Sequence, residues 1–141
     1  MKLRFIVSGD DFSLAGRAST ELKRALGRLG IAPDVLRRAA VAMYEAEINM
    51  VIHAGGGVAE ADILPDRVVL VLRDEGPGIA DVELAMREGW STASDRFREL
   101  GFGAGMGLPN MKRNADELRI ESAPGAGTTV TMVILLKKEG A

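Results

Sequence analysis

The sequence predicts an α+β domain, a two-layer sandwich in which a mixed, mostly antiparallel sheet carries helices on one face. Three observations lead there. Short apolar or alternating runs at residues 3–7, 58–64, 68–72, 118–122 and 127–137 read as strands. Two segments with apolar residues at helical spacing lie between the first and second of them. Two connections, Pro65-Asp66 and Pro124-Gly125-Ala126-Gly127, suit hairpins rather than crossovers.

In chain order, residues 3–7 form the first strand, closed by Ser8-Gly9-Asp10-Asp11. Asp11 or Ser13 opens a helix whose Leu14, Ala18, Leu22, Ala25, Leu26 and Leu29 share one face, and Gly30 stops it. Pro33 and Asp34 start a second helix that runs to about His53, where Gly55-Gly56-Gly57 ends it. The strand pair 58–64 and 68–72 follows, then a short helix at 82–87. Residues 88–107 hold many glycines and few apolar side chains, the composition of a mobile loop. A helix at 108–115 and the last two strands complete the order β-α-α-β-β-α-loop-α-β-β.

With 141 residues the chain makes one domain, 1–141, large enough for a real core. The net charge of −2 gives no basis for non-specific attraction to nucleic acid or membrane. With no cysteine and a single histidine, thiolate chemistry and a multi-histidine metal cage are excluded. No signal peptide and no spanning apolar run are visible, so the expected location is the cytoplasm.

Three local features can carry chemistry. Glu45, Asn49 and His53 recur every fourth residue, one stripe along the second helix. A carboxylate and an amide on one wall suit a hard cation such as Mg²⁺, whereas His53 near the helix end reads as a packing or capping residue. Glu47 points to the opposite side of the helix and receives no catalytic role. Next, Asp74-Glu75-Gly76-Pro77-Gly78-Ile79 ends the most apolar strand with a carboxylate able to accept from an exocyclic amine, and with glycines that leave room for a planar group. Last, Gly103-Ala104-Gly105-Met106-Gly107-Leu108 leads into a helix, so successive backbone N–H groups and the helix N-terminus form an anion cradle. It is not a Walker A loop, which would need G-x-x-x-x-G-K-[ST].

The three features in this order resemble the Bergerat-type (GHKL) ATP-binding fold of gyrase, the large heat-shock chaperones, histidine kinases and MutL repair proteins. Glu45-x-x-x-Asn49 resembles its N box, Asp74-x-Gly76-x-Gly78-Ile79 its first glycine box, and Gly103-x-Gly105-x-Gly107-Leu108 its second. Gly127-Thr128-Thr129-Val130 resembles the threonine-bearing strand that closes the adenine pocket. Within that superfamily the chain is most similar to the small bacterial anti-sigma-factor serine/threonine kinases and stress-response switch kinases.

The resemblance implies roles. ATP and Mg²⁺ would be bound, with Asn49 holding the metal against the phosphates and Glu45 acting as general base toward an attacking hydroxyl. Asp74 would accept from the adenine amino group, Gly76, Gly78 and Ile79 would line the base, and Thr128 or Thr129 would support a bridging water. The segment Gly103 to Leu108 would cradle the phosphates, and Lys112 and Arg113 read as surface charges within reach of phosphate or partner. It further implies a small STAS-domain antagonist as phosphate acceptor, leaves a sigma factor or a phosphatase open as further partners, and leaves a homodimer open. Two other functions stay open as well: a non-catalytic ATP-loaded module whose lid, 88–107, gates a partner surface, and a stand-alone histidine-kinase-like catalytic domain.

Overall fold

The computed structural model describes residues 1–8, 16–76, 78 and 107–136. Within them lie β1 (Lys2–Ser8), α1 (Arg17–Arg28), α2 (Pro33–Ala54), β2 (Gly56–Ile63), β3 (Arg67–Asp74), α3 (Gly107–Asn114), β4 (Glu117–Ser122) and β5 (Thr128–Leu135). The expected helix at 82–87 and most of the expected loop at 88–107 fall outside the described residues.

The strands form one five-stranded sheet in the order β1-β2-β3-β5-β4, and each of its four pairings is antiparallel. The sheet, expected to be mostly antiparallel with some mixed pairing, is wholly antiparallel among the described residues. Two hairpins, β2–β3 and β4–β5, join through the β3–β5 pairing, and β1, separated from β2 in the chain by α1 and α2, adds to the β2 edge. The most apolar strand takes the middle. Along β3, Val68, Leu70 and Leu72 are buried against the helices, while Val69 and Val71 alternate to the other face. Opposite them in register on β5 stand Ile134, Met132 and Val130, all three in the core.

The helices lie on that same face. In α1, Ala18, Leu22 and Leu26 point inward, and the helix ends at Arg28 just ahead of the expected stop at Gly30. In α2, Pro33 occupies the first turn, where its missing N–H costs nothing, and left-handed Gly55 closes the other end. Ala39, Ala42, Met43, Ala46 and Met50 carry α2 across the sheet. The small alanines let the helix lie close to the strands.

The described part of α1 begins at Arg17, and Gly16 before it supplies no side-chain cap. Asp11 and Ser13, the expected caps, lie outside the described residues. The first amides of α1 are satisfied from elsewhere: Glu47 of α2 accepts from the Ala18 and Ser19 N–H groups at 3.0 and 3.3 Å. Glu47 is only 2% exposed, and burial raises its pKa against the opposing effect of these backbone donors.

Candidate functional site

The stripe on α2 is positioned by helical geometry. With its alanine and methionine face buried, the helix turns Glu45, Asn49 and His53 to the edge of the core, where all three are half-buried. Glu45 looks toward α3, and its Oε1 accepts a hydrogen bond from the Asn110 side-chain nitrogen at 3.1 Å. Burial raises the Glu45 pKa, and the Asn110 donor acts against that. Asn49, one turn further, makes no side-chain hydrogen bond among the described residues. For His53 burial lowers the pKa, with the Asp74 carboxylate acting the other way, so the stripe runs from α3 at one end to Asp74 at the other.

Asp74 is the last residue of β3 and stands opposite Thr128, the first residue of β5. Its Oδ1 accepts from the Gly76 N–H at 2.9 Å and from the Thr128 N–H at 3.2 Å. Two donors on one oxygen fix the carboxylate plane. Thr128 is 8% exposed, and its hydroxyl lies 2.8 Å from that of Ser122, which also donates to the Gly127 carbonyl at 3.0 Å. Thr129 takes the other parity of β5: it is paired with Arg73 and Glu121, on the sheet face away from the helices.

The glycines after Asp74 have a reason within the chain itself. Gly78 has φ +78, and a Cβ there would run into the Ala123 carbonyl oxygen in the turn between β4 and β5. A Cβ on Gly76 would come within 2.6 Å of the Ala54 Cβ at the end of α2. Both positions are thus required by backbone packing around the strand end, and that packing brings α2, β3 and the β4–β5 turn together beside Asp74.

At the opposite end, Gly107 begins α3 and Leu108 is buried in the core beside Met111, so Leu108 can meet a ligand only through its backbone. Lys112 and Arg113 are exposed, and Arg113 donates to the Asn110 side-chain oxygen at 3.2 Å. The remaining expected site residues, Ile79, Gly103, Ala104, Gly105 and Met106, lie outside the described residues. Sequence reasoning passed over Asn110 and Ser122. For Asn110 the one available signal was a polar residue in the first turn of an otherwise apolar Leu-Pro-Asn-Met run.

The arrangement offers a carboxylate and an amide oxygen one turn apart, next to the start of a helix. No three His, Cys, Asp or Glu side chains converge among the described residues. That donor set fits Mg²⁺ in the form it takes with nucleotides, held by one or two protein oxygens while phosphate oxygens and waters fill the other positions. Among the described residues, no helix is long and apolar enough to cross a membrane.

Residues 11–134 match the family model described as the histidine kinase-like ATPase domain. The chain is 34% identical over 137 residues to an anti-sigma F factor of Caldanaerobacter subterraneus, covering 94% of this chain and 90% of that protein. It is 32% identical over 123 residues to the serine/threonine-protein kinase RsbT of Bacillus subtilis, covering 81% of this chain and 86% of the relative. Among solved structures it is similar in fold to the RsbU and RsbW domains of a Mycobacterium tuberculosis protein, with a TM-score of 0.66 at 19% identity over 96% of this chain and 32% of that one. The mycobacterial sensor histidine kinase MprB also resembles it, with a TM-score of 0.55 at 18% identity, covering 97% of this chain and 99% of that chain.

Proposed function

The chain belongs to the histidine kinase-like ATPase domain family, and from that premise we propose that it is an ATP-dependent protein serine/threonine kinase serving as a partner switch. The observation that carries the reading is the half-buried Glu45 carboxylate, one helical turn before Asn49 and hydrogen-bonded to the first turn of α3. A binding module needs no ionisable group in that position; phosphoryl transfer to a hydroxyl does. The similarity to a serine/threonine kinase along most of its length supports the same reading.

In this mechanism the adenine amino group donates to Asp74, whose carboxylate plane is set by the Gly76 and Thr128 amides. Gly76, Gly78 and Ile79 border the base, and Thr128 rather than Thr129 supports a water between base and protein. The backbone from Gly103 to Leu108 and the N-terminus of α3 receive the phosphates. Mg²⁺, held at Asn49, would neutralise charge on the β- and γ-phosphates when bound. Glu45 takes the proton of the acceptor hydroxyl. The acceptor oxygen bonds to the γ-phosphorus, and the bond to the bridging oxygen breaks with its electron pair leaving on ADP. Catalysis by such a site is mostly orientation and charge neutralisation, both of which fixed helices and strand ends can supply.

The acceptor we assign is a serine or threonine on a small STAS-domain antagonist. The anti-sigma F factors among the relatives favour a sigma factor as a second partner. The deciding experiment incubates the purified chain with γ-labelled ATP, Mg²⁺ and candidate STAS-domain proteins. Acid-stable label on one of them, lost in Glu45→Gln while ATP binding persists, supports the kinase. Acid-labile label would indicate histidine phosphorylation. Tight ATP binding with no transfer to any candidate leaves the non-catalytic switch.

A further inference from the structure

Asn110 lies outside every motif from which the nucleotide site was read, yet it joins two walls of that site. It sits in the first turn of α3, three residues after Gly107, and its Nδ2 lies 3.1 Å from Glu45 Oε1 on α2. The orientation of the amide is determined by its neighbours. Arg113 Nη1 donates to Asn110 Oδ1 at 3.2 Å, and a guanidinium can only donate. An ionised carboxylate can only accept, so the NH₂ end must face Glu45. Asn114 Nδ2 donates to the Asn110 carbonyl at 2.8 Å, which steadies the same turn from its other side. Arg113, Asn110 and Glu45 therefore make a one-directional relay of donors that ends on the carboxylate, and such chains polarise along their length. Glu45 Oε2 accepts no hydrogen bond among the described residues.

We propose that Asn110 is a positioning residue for phosphoryl transfer: it holds one oxygen of Glu45 and presents the other to the acceptor hydroxyl. This rests on the reading of Glu45 as the general base. The geometry makes the base a dependant of α3.

The test is a double-mutant cycle between Asn110 and Glu45, read in kcat for transfer of γ-label from Mg-ATP to the STAS-domain acceptor and in calorimetric Kd for Mg-ATP. Asn110→Asp keeps the shape of the side chain but puts an oxygen where the donor was, and Asn110→Ala removes both. Each should lower kcat about 10- to 100-fold with the Kd changed less than about twofold. Asn110→His, which can return an N–H at similar reach, should recover most of the loss. Added to Glu45→Gln, either disabling change should cost nothing further, because it acts through a group already neutralised. Wild-type kcat in Asn110→Asp, a loss confined to ATP affinity, or full additivity with Glu45→Gln would each overturn the proposal. Should Asn110→Ala lose its cooperative thermal transition, the near-isosteric Asn110→Asp decides. Failure of the underlying reading looks different: Glu45→Gln would then transfer phosphate at the wild-type rate.

Discussion

A carboxylate oxygen of Glu47, midway along α2, lies 3.0 Å from the amide nitrogen of Ala18 in the first turn of α1. The other oxygen meets the Ser19 amide, so a side chain from one helix caps the start of another. Glu47→Ala leaves two buried N–H groups without their acceptor and should cost about 2–3 kcal/mol of stability, measured by chemical denaturation. A loss below about 0.5 kcal/mol would mean that water replaces the cap.

The same residue gives stability a pH dependence of definite sign. Burial raises the folded-state pKa of Glu47 above its ordinary 4.5, so the folded protein holds this proton more tightly than the unfolded chain does. That contribution is complete below pH 4.5 and is lost as pH rises through the folded value. Glu47→Gln cannot titrate. Its stability minus that of the wild type should therefore increase as pH rises above 4.5, with Glu45, which shifts in the same direction, cancelling because both proteins contain it. A difference that is flat with pH sinks the assignment.

Asp74→Asn retains an oxygen able to accept from the Gly76 and Thr128 amides but can turn an NH₂ toward the ligand. If Asp74 accepts from the adenine amino group, affinity for ATP should fall about 10- to 100-fold, the equivalent of one charge-assisted hydrogen bond. The thermal transition should move little. Calorimetry of ATP against GTP sharpens the test, since GTP carries an oxo group where ATP carries the amine. The wild type should prefer ATP, and the variant should lose most of that preference.

Gly127 and Gly125 stand two residues apart in one turn, both with positive φ, +75 and +76. A Cβ on Gly125 meets nothing within 4 Å, so Gly125→Ala should cost only the conformational penalty, about 1–2 kcal/mol. A Cβ on Gly127 would strike the Asp74 carbonyl. Gly127→Ala should therefore cost more stability than Gly125→Ala and also weaken ATP binding, because the strand end carrying Asp74 has to move. Equal melting shifts in the two variants would contradict this.

Asp116 Oδ2 accepts from Arg38 of α2 at 3.1 Å and from the Leu135 amide at 2.7 Å, binding a helix to the far end of β5. Both side chains are about 30% exposed, which tempers but does not abolish the interaction. Asp116→Ala should lose about 1–2 kcal/mol. Glu21→Ala, which removes an exposed pair within α1, should stay within about 0.5 kcal/mol. Similar losses in both would reverse the ranking.

What could be read beforehand was what lies along a single element. The α2 stripe follows from a spacing of four, and Asp74 from its place after a run of five apolar residues. What stayed hidden joins separate elements. Glu47 and Ala18 are 29 residues apart, and Asn110 and Glu45 are 65 apart; no local pattern announces either bond. The Thr128-Thr129 pair shows a subtler limit. Two identical residues in sequence give no parity, and only the register of β5 against β3 decides which stands opposite Asp74.

Asp74 and Thr128 form the last rung of the two strands at the heart of the sheet. A ladder is weakest at its open end, where amides exchange with solvent most readily. A nucleotide clasped at that rung would therefore act as a buckle on the whole molecule, raising the free energy needed to unzip β3 from β5. Survival of the folded chain against proteases would then follow its occupancy by adenine nucleotide, ADP as well as ATP, since both carry the amine that Asp74 would read.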